Sequence, residues 1–210
     1  MKNSKKIISV VGLPGVGKTT TLSILKEIKP EWAFYSTELS GICKQEIQSL
    51  HRSTKIDYDY IQGMYLQSLI KHSYEVESLS NNFKDILVLD RGFEDTLVVS
   101  NYFSSKGYLF SFGDYTIKYK SALQEYFSDL TIFLFAEYDV IELRQSNRDL
   151  NLSKPKRPND DIFVTEISKF YLKWYKENTN CFIIDTSKLK PIEVALEIIS
   201  IIEKEFPDEL

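Results

Sequence analysis

The stretch from Lys5 to Thr21, KKIISVVGLPGVGKTTT, restricts the fold more than any other part of the chain. Ile7, Ile8, Val10 and Val11 form a short β-branched run that ends at glycine, the pattern of a strand covered on both faces. Gly12 to Thr19 then fits G-x-x-x-x-G-K-[ST] at every fixed position: Gly12, Gly17, Lys18 and Thr19. Leu22, Leu25 and Ile28 follow at helical spacing. A strand, a glycine loop and a helix in that order build an anion cradle. Glycines open backbone angles closed to other residues, so consecutive N–H groups can turn inward. The helix aims its positive end at the same point. Gly12, Leu13, Pro14, Gly15, Val16, Gly17, Lys18, Thr19 and Thr20 are therefore expected to hold the phosphates of a nucleoside triphosphate such as ATP. Lys18 would serve as a mobile cation for the β- and γ-phosphates, and the Thr19 hydroxyl as a ligand for Mg²⁺. Pro14 donates no N–H and belongs on the outside of the loop.

The rest of the chain alternates strand and helix signals. Residues 32–36 (WAFYS) read as a second strand, with Thr37, Glu38 and Leu39 opening a helix to about Leu50. Residues 57–80 read as a long helix, with Ile61, Tyr65, Leu69 and Val76 on its apolar face. Ile86–Asp90 (ILVLD) is a continuous apolar strand ending in an acid. Helices are expected over 95–105 and 112–127, a strand over 130–136, and a helix over 139–148. The polar, proline-broken segment at about 149–159 reads as a mobile lid. A helix over 160–177, a strand over 182–185 and a closing helix over 192–206 complete the chain. This order argues an α/β fold: a single three-layer domain spanning 1–210, with a five-stranded, mostly parallel sheet flanked by helices. Ligands of such sheets sit at the carboxyl ends of the strands.

Composition narrows the function classes. The hydrophobic share is 43%, the charged share 27% and the net charge −4 without a long basic block, which gives no support for a nucleic acid polymer or an anionic membrane as partner. No apolar run reaches membrane-span length. Lys2, Lys5 and Lys6 lead straight into the phosphate loop, not into a signal-peptide core. The two cysteines, Cys43 and Cys181, are far apart without metal-ligand spacing, and Cys181 reads as a buried small hydrophobe. The chain reads as cytoplasmic.

Several polar residues fall where the fold would place a site. Asp90 closes its strand as a second Mg²⁺-holding group, and Arg91 beside it suits a phosphate or a developing charge. Glu38, just past the second strand, could take a proton from an acceptor hydroxyl; as a helix-start acid it would only favour the macrodipole. Glu94 and Asp95 either bond substrate hydroxyls or open the next helix. Arg144 and Arg148 are four apart on one helix face, and Lys154, Lys156 and Arg157 continue the positive run. Mobile cations of this kind close over a γ-phosphate and exclude water. Gln62 can donate and accept at a base edge. Thr186–Ser187 follows the last strand.

Taken together these stretches resemble the P-loop nucleoside and nucleotide kinases, with deoxynucleoside kinases most alike and thymidylate kinases next. The resemblance runs through GLPGVGKTT (12–20), Glu38, IQGMYLQSLI (61–70), LDRGFEDTLVVSNYF (89–103), FLFAEYDVIELRQSNR (133–148) and IIDTS (183–187), in family order over nearly the whole chain. It implies Glu38 as general base, Gln62 as the reader of the base with Tyr65, Arg91, Glu94 and Asp95 in the acceptor site, Arg144 and Arg148 as lid arginines, and Thr186–Ser187 beside the adenine. It also implies ATP and Mg²⁺ as cofactors, a small-molecule nucleoside or nucleotide as acceptor, and a homodimer. Three departures concern the acceptor side. Asp90-Arg91-Gly92 stands where the family shows Glu-Arg-Ser, Leu39 stands where a proline follows the base, and Thr96 occupies the position expected for a sugar-binding acid.

The expected reaction is transfer of the γ-phosphate of MgATP to a (deoxy)nucleoside hydroxyl, with Lys18, Arg91, Arg144 and Arg148 stabilising the charge. A nucleoside monophosphate, served by Arg52 and Lys55, or another small alcohol are the rival acceptors. A nucleotide switch without acceptor is the reading from another class. Its usual marks, Asn-Lys-x-Asp and an Asp-x-x-Gly after the third strand, are absent from the sequence.

Overall fold

The computed structural model describes residues 5–38, 45–46, 57–80, 85–108, 112–148, 160–178 and 180–207. Its strands are β1 (Lys6–Val11), β2 (Ala33–Ser36), β3 (Ile86–Asp90), β4 (Leu130–Phe135) and β5 (Cys181–Asp185). The helices are α1 (Lys18–Ile28), α2 (Tyr58–Ser80), α3 (Asp95–Ser105), α4 (Phe112–Leu123), α5 (Tyr138–Arg148), α6 (Asp160–Asn178) and α7 (Pro191–Glu205). The strands form one five-stranded sheet in the order β2-β3-β1-β4-β5, and each neighbouring pair is parallel. The expected α/β architecture is therefore present.

The period-2 alternation of the strands divides the core. Ile86 and Val88 of β3 and Leu130, Ile132 and Leu134 of β4 face α1 and α7, where Leu22, Leu25, Val194, Ile198 and Ile202 cover them. Leu87 and Leu89 face α2 and α4, against Leu69, Val76, Tyr119 and Leu123. Phe133 meets Val98 of α3 and Tyr171 and Tyr175 of α6. With helices on both faces, Ile8, Val10 and Val11 of the central strand are fully buried, each contributing about 1.5–3 kcal/mol relative to exposure. Tyr102, Tyr115, Tyr119, Tyr171 and Tyr175 serve this packing, whereas Tyr60 and Tyr74 are exposed.

Several expectations are corrected in detail. Thr37 and Glu38 are not helical; the Thr37 N–H is committed across the sheet to the Asp90 carbonyl at 3.2 Å. The helix expected to 127 ends at Leu123 and tightens into a 3₁₀ turn, Gln124–Tyr126. Cys181 is half-buried, and burial pushes its thiol up to about 11. The lid at 149–159, Cys43, Arg52 and Lys55 lie outside the described residues, as does the side chain of Arg148. No helix among the described residues is long and apolar enough to cross a membrane.

Candidate active site

The central position of β1 sets the site. The sheet reverses strand order on either side of β1, with β3 on one flank and β4 on the other, and such a switch point opens a crevice at the carboxyl ends of the strands. Val10, Asp90 and Ser36 lie in one row across β1, β3 and β2. The residues immediately beyond them, the glycine loop, Arg91 and Thr37–Glu38, therefore converge. They border a cleft of about 660 Å³ whose walls include the loop from Pro14 to Thr21, Glu38, Arg91, Arg144 and Thr186. Leu189, Pro191 and Val194 form its apolar end.

The loop wraps as its glycines require: Gly12, Gly15 and Gly17 all have positive φ, and Pro14 is exposed. Val16 is buried against the core. The Lys18 ammonium lies across the loop, donating to the carbonyls of Gly12 at 2.8 Å and Leu13 at 3.2 Å. Burial, with Arg91 adding repulsion, lowers Lys18 to about 8. A phosphate group in the cradle would supply negative charge that raises it again. Thr19 and Thr20 face solvent at the start of α1.

Opposite the loop, Asp90 Oδ1 is buried with no hydrogen-bond partner in the described structure. Burial raises the Asp90 carboxyl above its ordinary range, while Lys18 pulls it down. An orphaned carboxylate oxygen beside a phosphate cradle, with the Thr19 hydroxyl near the same groove, fits a hard divalent cation that takes oxygen ligands.

Arg91 is a non-glycine residue with φ of 69°, a left-handed conformation costing about 1–2 kcal/mol. That turn is held by its N–H, which donates to the Val10 carbonyl at 3.1 Å. Its guanidinium donates to Glu38 Oε1 at 3.1 Å and Asp95 Oδ2 at 3.0 Å. Burial pulls Arg91 down, yet Asp95 and Glu38 more than offset this and keep it charged. Tyr175 donates to the other Asp95 oxygen at 3.3 Å. Tyr65 lies close enough to Arg91, Asp95 and Glu38 to sense their charge. The structure thus assembles Lys18, Glu38, Tyr65, Asp90, Arg91 and Asp95 from three helices, β3 and the loops that follow β2 and β3.

Arg144 is tied to the loop and to the β5 end, donating to the Val16 carbonyl at 3.2 Å, the Thr186 hydroxyl at 3.1 Å and the Thr186 carbonyl at 2.7 Å. Thr186 itself donates through one hydroxyl to a choice of Val16 and Phe135 carbonyls, at 2.8 and 3.0 Å. Ser187 is instead used within its turn: it donates to Asp185 Oδ1 at 2.6 Å and accepts from the Glu137 N–H at 2.9 Å. Sequence reading passed over Gln145, whose amide donates to the Pro14 carbonyl at 2.9 Å, and Thr37, whose hydroxyl reaches the Arg91 carbonyl at 3.3 Å. Adjacency to Arg144 and to Glu38 was their only signal.

Glu94 is a correction. It is 1% exposed and turned away from the cleft, with Oε1 accepting from Ser128 at 2.6 Å and Oε2 without a partner among the described residues. A side chain on residue 92 would come within 2.6 Å of Glu94 and of Ser9 Oγ, which explains why glycine follows Arg91. Burial raises the Glu94 carboxyl above its ordinary range. The folded state then holds a proton that the unfolded chain releases, so stability falls as pH rises from about the ordinary carboxylate value upward. Glu94→Gln removes that loss. Its melting temperature is expected to gain on the parent's as pH rises above the ordinary carboxylate value, as thermal unfolding across a pH series would record.

The fold is that of the P-loop nucleoside and nucleotide kinases. Thymidylate kinase from Candida albicans superposes with a TM-score of 0.67 over 96% of this chain and 92% of its own, at 17% identity. Deoxyadenosine kinase from M. mycoides, in a structure with dCMP and dCDP, gives 0.67 over 94% and 99%, at 16% identity; the same enzyme with dCTP gives 0.66 over 95% and 99%, at 15%. The sequence matches no protein-family model and no curated protein.

Proposed function

We propose that the protein is an ATP- and Mg²⁺-dependent phosphotransferase whose acceptor is a hydroxyl of a nucleoside or deoxynucleoside. The observation that carries this reading is the single cleft in which a glycine loop faces a half-exposed carboxylate, Glu38, oriented by Arg91. A nucleotide switch needs no such group across from its phosphates; a kinase does. In this reading the loop amides and Lys18 hold the triphosphate, and Arg144 and Thr186 border its nucleoside end next to the apolar wall of Leu189, Pro191 and Val194. Thr19 and Asp90 would hold Mg²⁺, which supplies charge neutralisation at the phosphates. Glu38 accepts the proton of the acceptor hydroxyl. The new O–Pγ bond forms as the bond from Pγ to the β–γ bridging oxygen breaks, and ADP leaves. Arg91 stabilises charge on the transferring group.

A nucleoside monophosphate is the second reading. It is favoured by the Asp90-Arg91 pair and by the likeness to the thymidylate kinase fold. The test is ADP formation with and without acceptors, using γ-labelled ATP over nucleosides and their 5′-monophosphates. Label appearing in one acceptor class, with little ADP formed in its absence, is the expected result. ADP formation indifferent to every acceptor would overturn the kinase reading in favour of a switch.

A further inference from the structure

Glu38 is the outer end of a chain of side chains that starts in the interior. Tyr175 of α6 is fully buried. Its ring packs on Phe133 of β4 and on Tyr171, each with centroids 6.0 Å away, and on Trp174 at 5.2 Å. Its hydroxyl donates to Asp95 Oδ1 at 3.3 Å, and Asp95 Oδ2 accepts from Arg91 Nη1 at 3.0 Å. Arg91 Nε in turn donates to Glu38 Oε1 at 3.1 Å. Side-chain exposure rises along this chain, from 8% at Asp95 to 25% at Arg91 and 44% at Glu38. The anchored end is therefore the interior one. Each link limits the next. The terminal torsion of an aspartate is soft; a bond at one oxygen lets the carboxylate turn, and a bond at each oxygen holds its plane. A guanidinium is a rigid planar fork. Seating Nη1 on a held carboxylate sets the direction of the Nε–H, and with it the place where Glu38 can accept.

We propose that Tyr175 is a positioning residue that aims the Glu38 carboxylate through Asp95 and Arg91. The inference rests on the phosphotransferase reading above, in which Glu38 is the base, and extends the machinery of that site to α6. Tyr175 does not border the cleft, so it reaches the reacting groups through its neighbours. Burial and the Asp95 charge hold its phenol well above the ordinary value. The hydroxyl thus stays a donor and passes no proton along the chain, which separates positioning from proton relay. Tyr175→Phe keeps the ring contacts and removes the hydroxyl. Asp95 Oδ1 then loses that donor, and the Asp95 carboxylate, the guanidinium and Glu38 gain freedom together.

The test is a double-mutant cycle on the acceptor found by the label screen, with the parent, Tyr175→Phe, Glu38→Gln and the double variant. Tyr175→Phe is expected to fold, with a melting temperature lowered by no more than about 8 °C. Its kcat is expected to fall roughly 5- to 50-fold, the coupling of residues in one network, with the KM for MgATP within about twofold of the parent's. In the Glu38→Gln background there is no base left to aim. There the same substitution is expected to cost a factor at least about threefold smaller than in the parent background. A merely structural role would cost the same factor in both. A kcat for Tyr175→Phe within about threefold of the parent's, or losses in the two backgrounds that differ by less than about threefold, overturns this inference and leaves the kinase reading intact. Equal turnover in the parent and in Glu38→Gln removes the base assignment and this inference with it. Transfer by the parent to no acceptor in the screen overturns the kinase reading as well.

Discussion

Replacing Glu38 by glutamine is expected to lower turnover by roughly 10²- to 10⁴-fold, the range for losing a general base, while MgATP binding stays within a fewfold of the parent. The substitution keeps the size of the side chain and the oxygen that accepts from Arg91 Nε at 3.1 Å, so the guanidinium is not set loose. What disappears is the ability to take a proton. Glu38 borders the same cleft as the loop but is not part of it, so the loop backbone and the Lys18 contacts to the Gly12 and Leu13 carbonyls are kept. Binding by calorimetry and steady-state turnover on the acceptor found by the label screen separate the two effects. Equal turnover in the parent and in Glu38→Gln would remove Glu38 as the base and leave Asp90 or Asp95 to be tried. Parallel losses in binding and turnover would mean that the carboxylate acts through charge on the loop.

Local pattern fixed some elements to the residue. The α3 helix runs from Asp95 to Ser105, as expected, because its acid start and the left-handed Gly107 at its end are both local signals. The phosphate loop was legible for the same reason, since each glycine answers a backbone requirement within a few residues of itself. Long-range partners decided the rest. Thr37 and Glu38 look like a helix start, but the Thr37 N–H has a cross-sheet acceptor in Asp90, and nothing within residues 32–50 announces it. Glu94 and Asp95 are neighbours about 100° apart around a helix start, so at most one can face the cleft. Which one does depends on where Ser128 and Arg91 lie, and only the packed sheet sets that. Gln62 was legible as a polar residue on an apolar face, whereas its partner Ser100, 38 residues on, was not.

Gly12→Ala is expected to cost about 4 kcal/mol or more, in the range reserved for forced clashes and backbone strain. That is a large part of the ~5–15 kcal/mol that holds a domain folded. At Gly12 φ is +142°, a region side-chain-bearing residues rarely enter, and an added Cβ would sit 2.3 Å from the Leu134 carbonyl oxygen. That oxygen belongs to β4, which is paired to β1 on one side and β5 on the other, so the obstacle is backbone in the centre of the sheet and has no rotamer to escape into. Relief requires moving the start of the loop away from β4. The Gly12 carbonyl that receives the Lys18 ammonium would move with it, so nucleotide binding falls together with stability. Gly17→Ala is the informative contrast. Gly17 also has a positive φ, of +104°, but nothing lies within 4 Å of the position a Cβ would take. That variant pays strain of about 1–2 kcal/mol without a clash and is expected to fold. Thermal unfolding should place Gly12→Ala about 10 °C or more below the parent and Gly17→Ala within about 2–8 °C of it, at 2–4 °C per kcal/mol for a chain of this size. Equal losses in the two variants would mean that backbone angle alone, and not the approach of β4, makes glycine necessary at the first position of the loop.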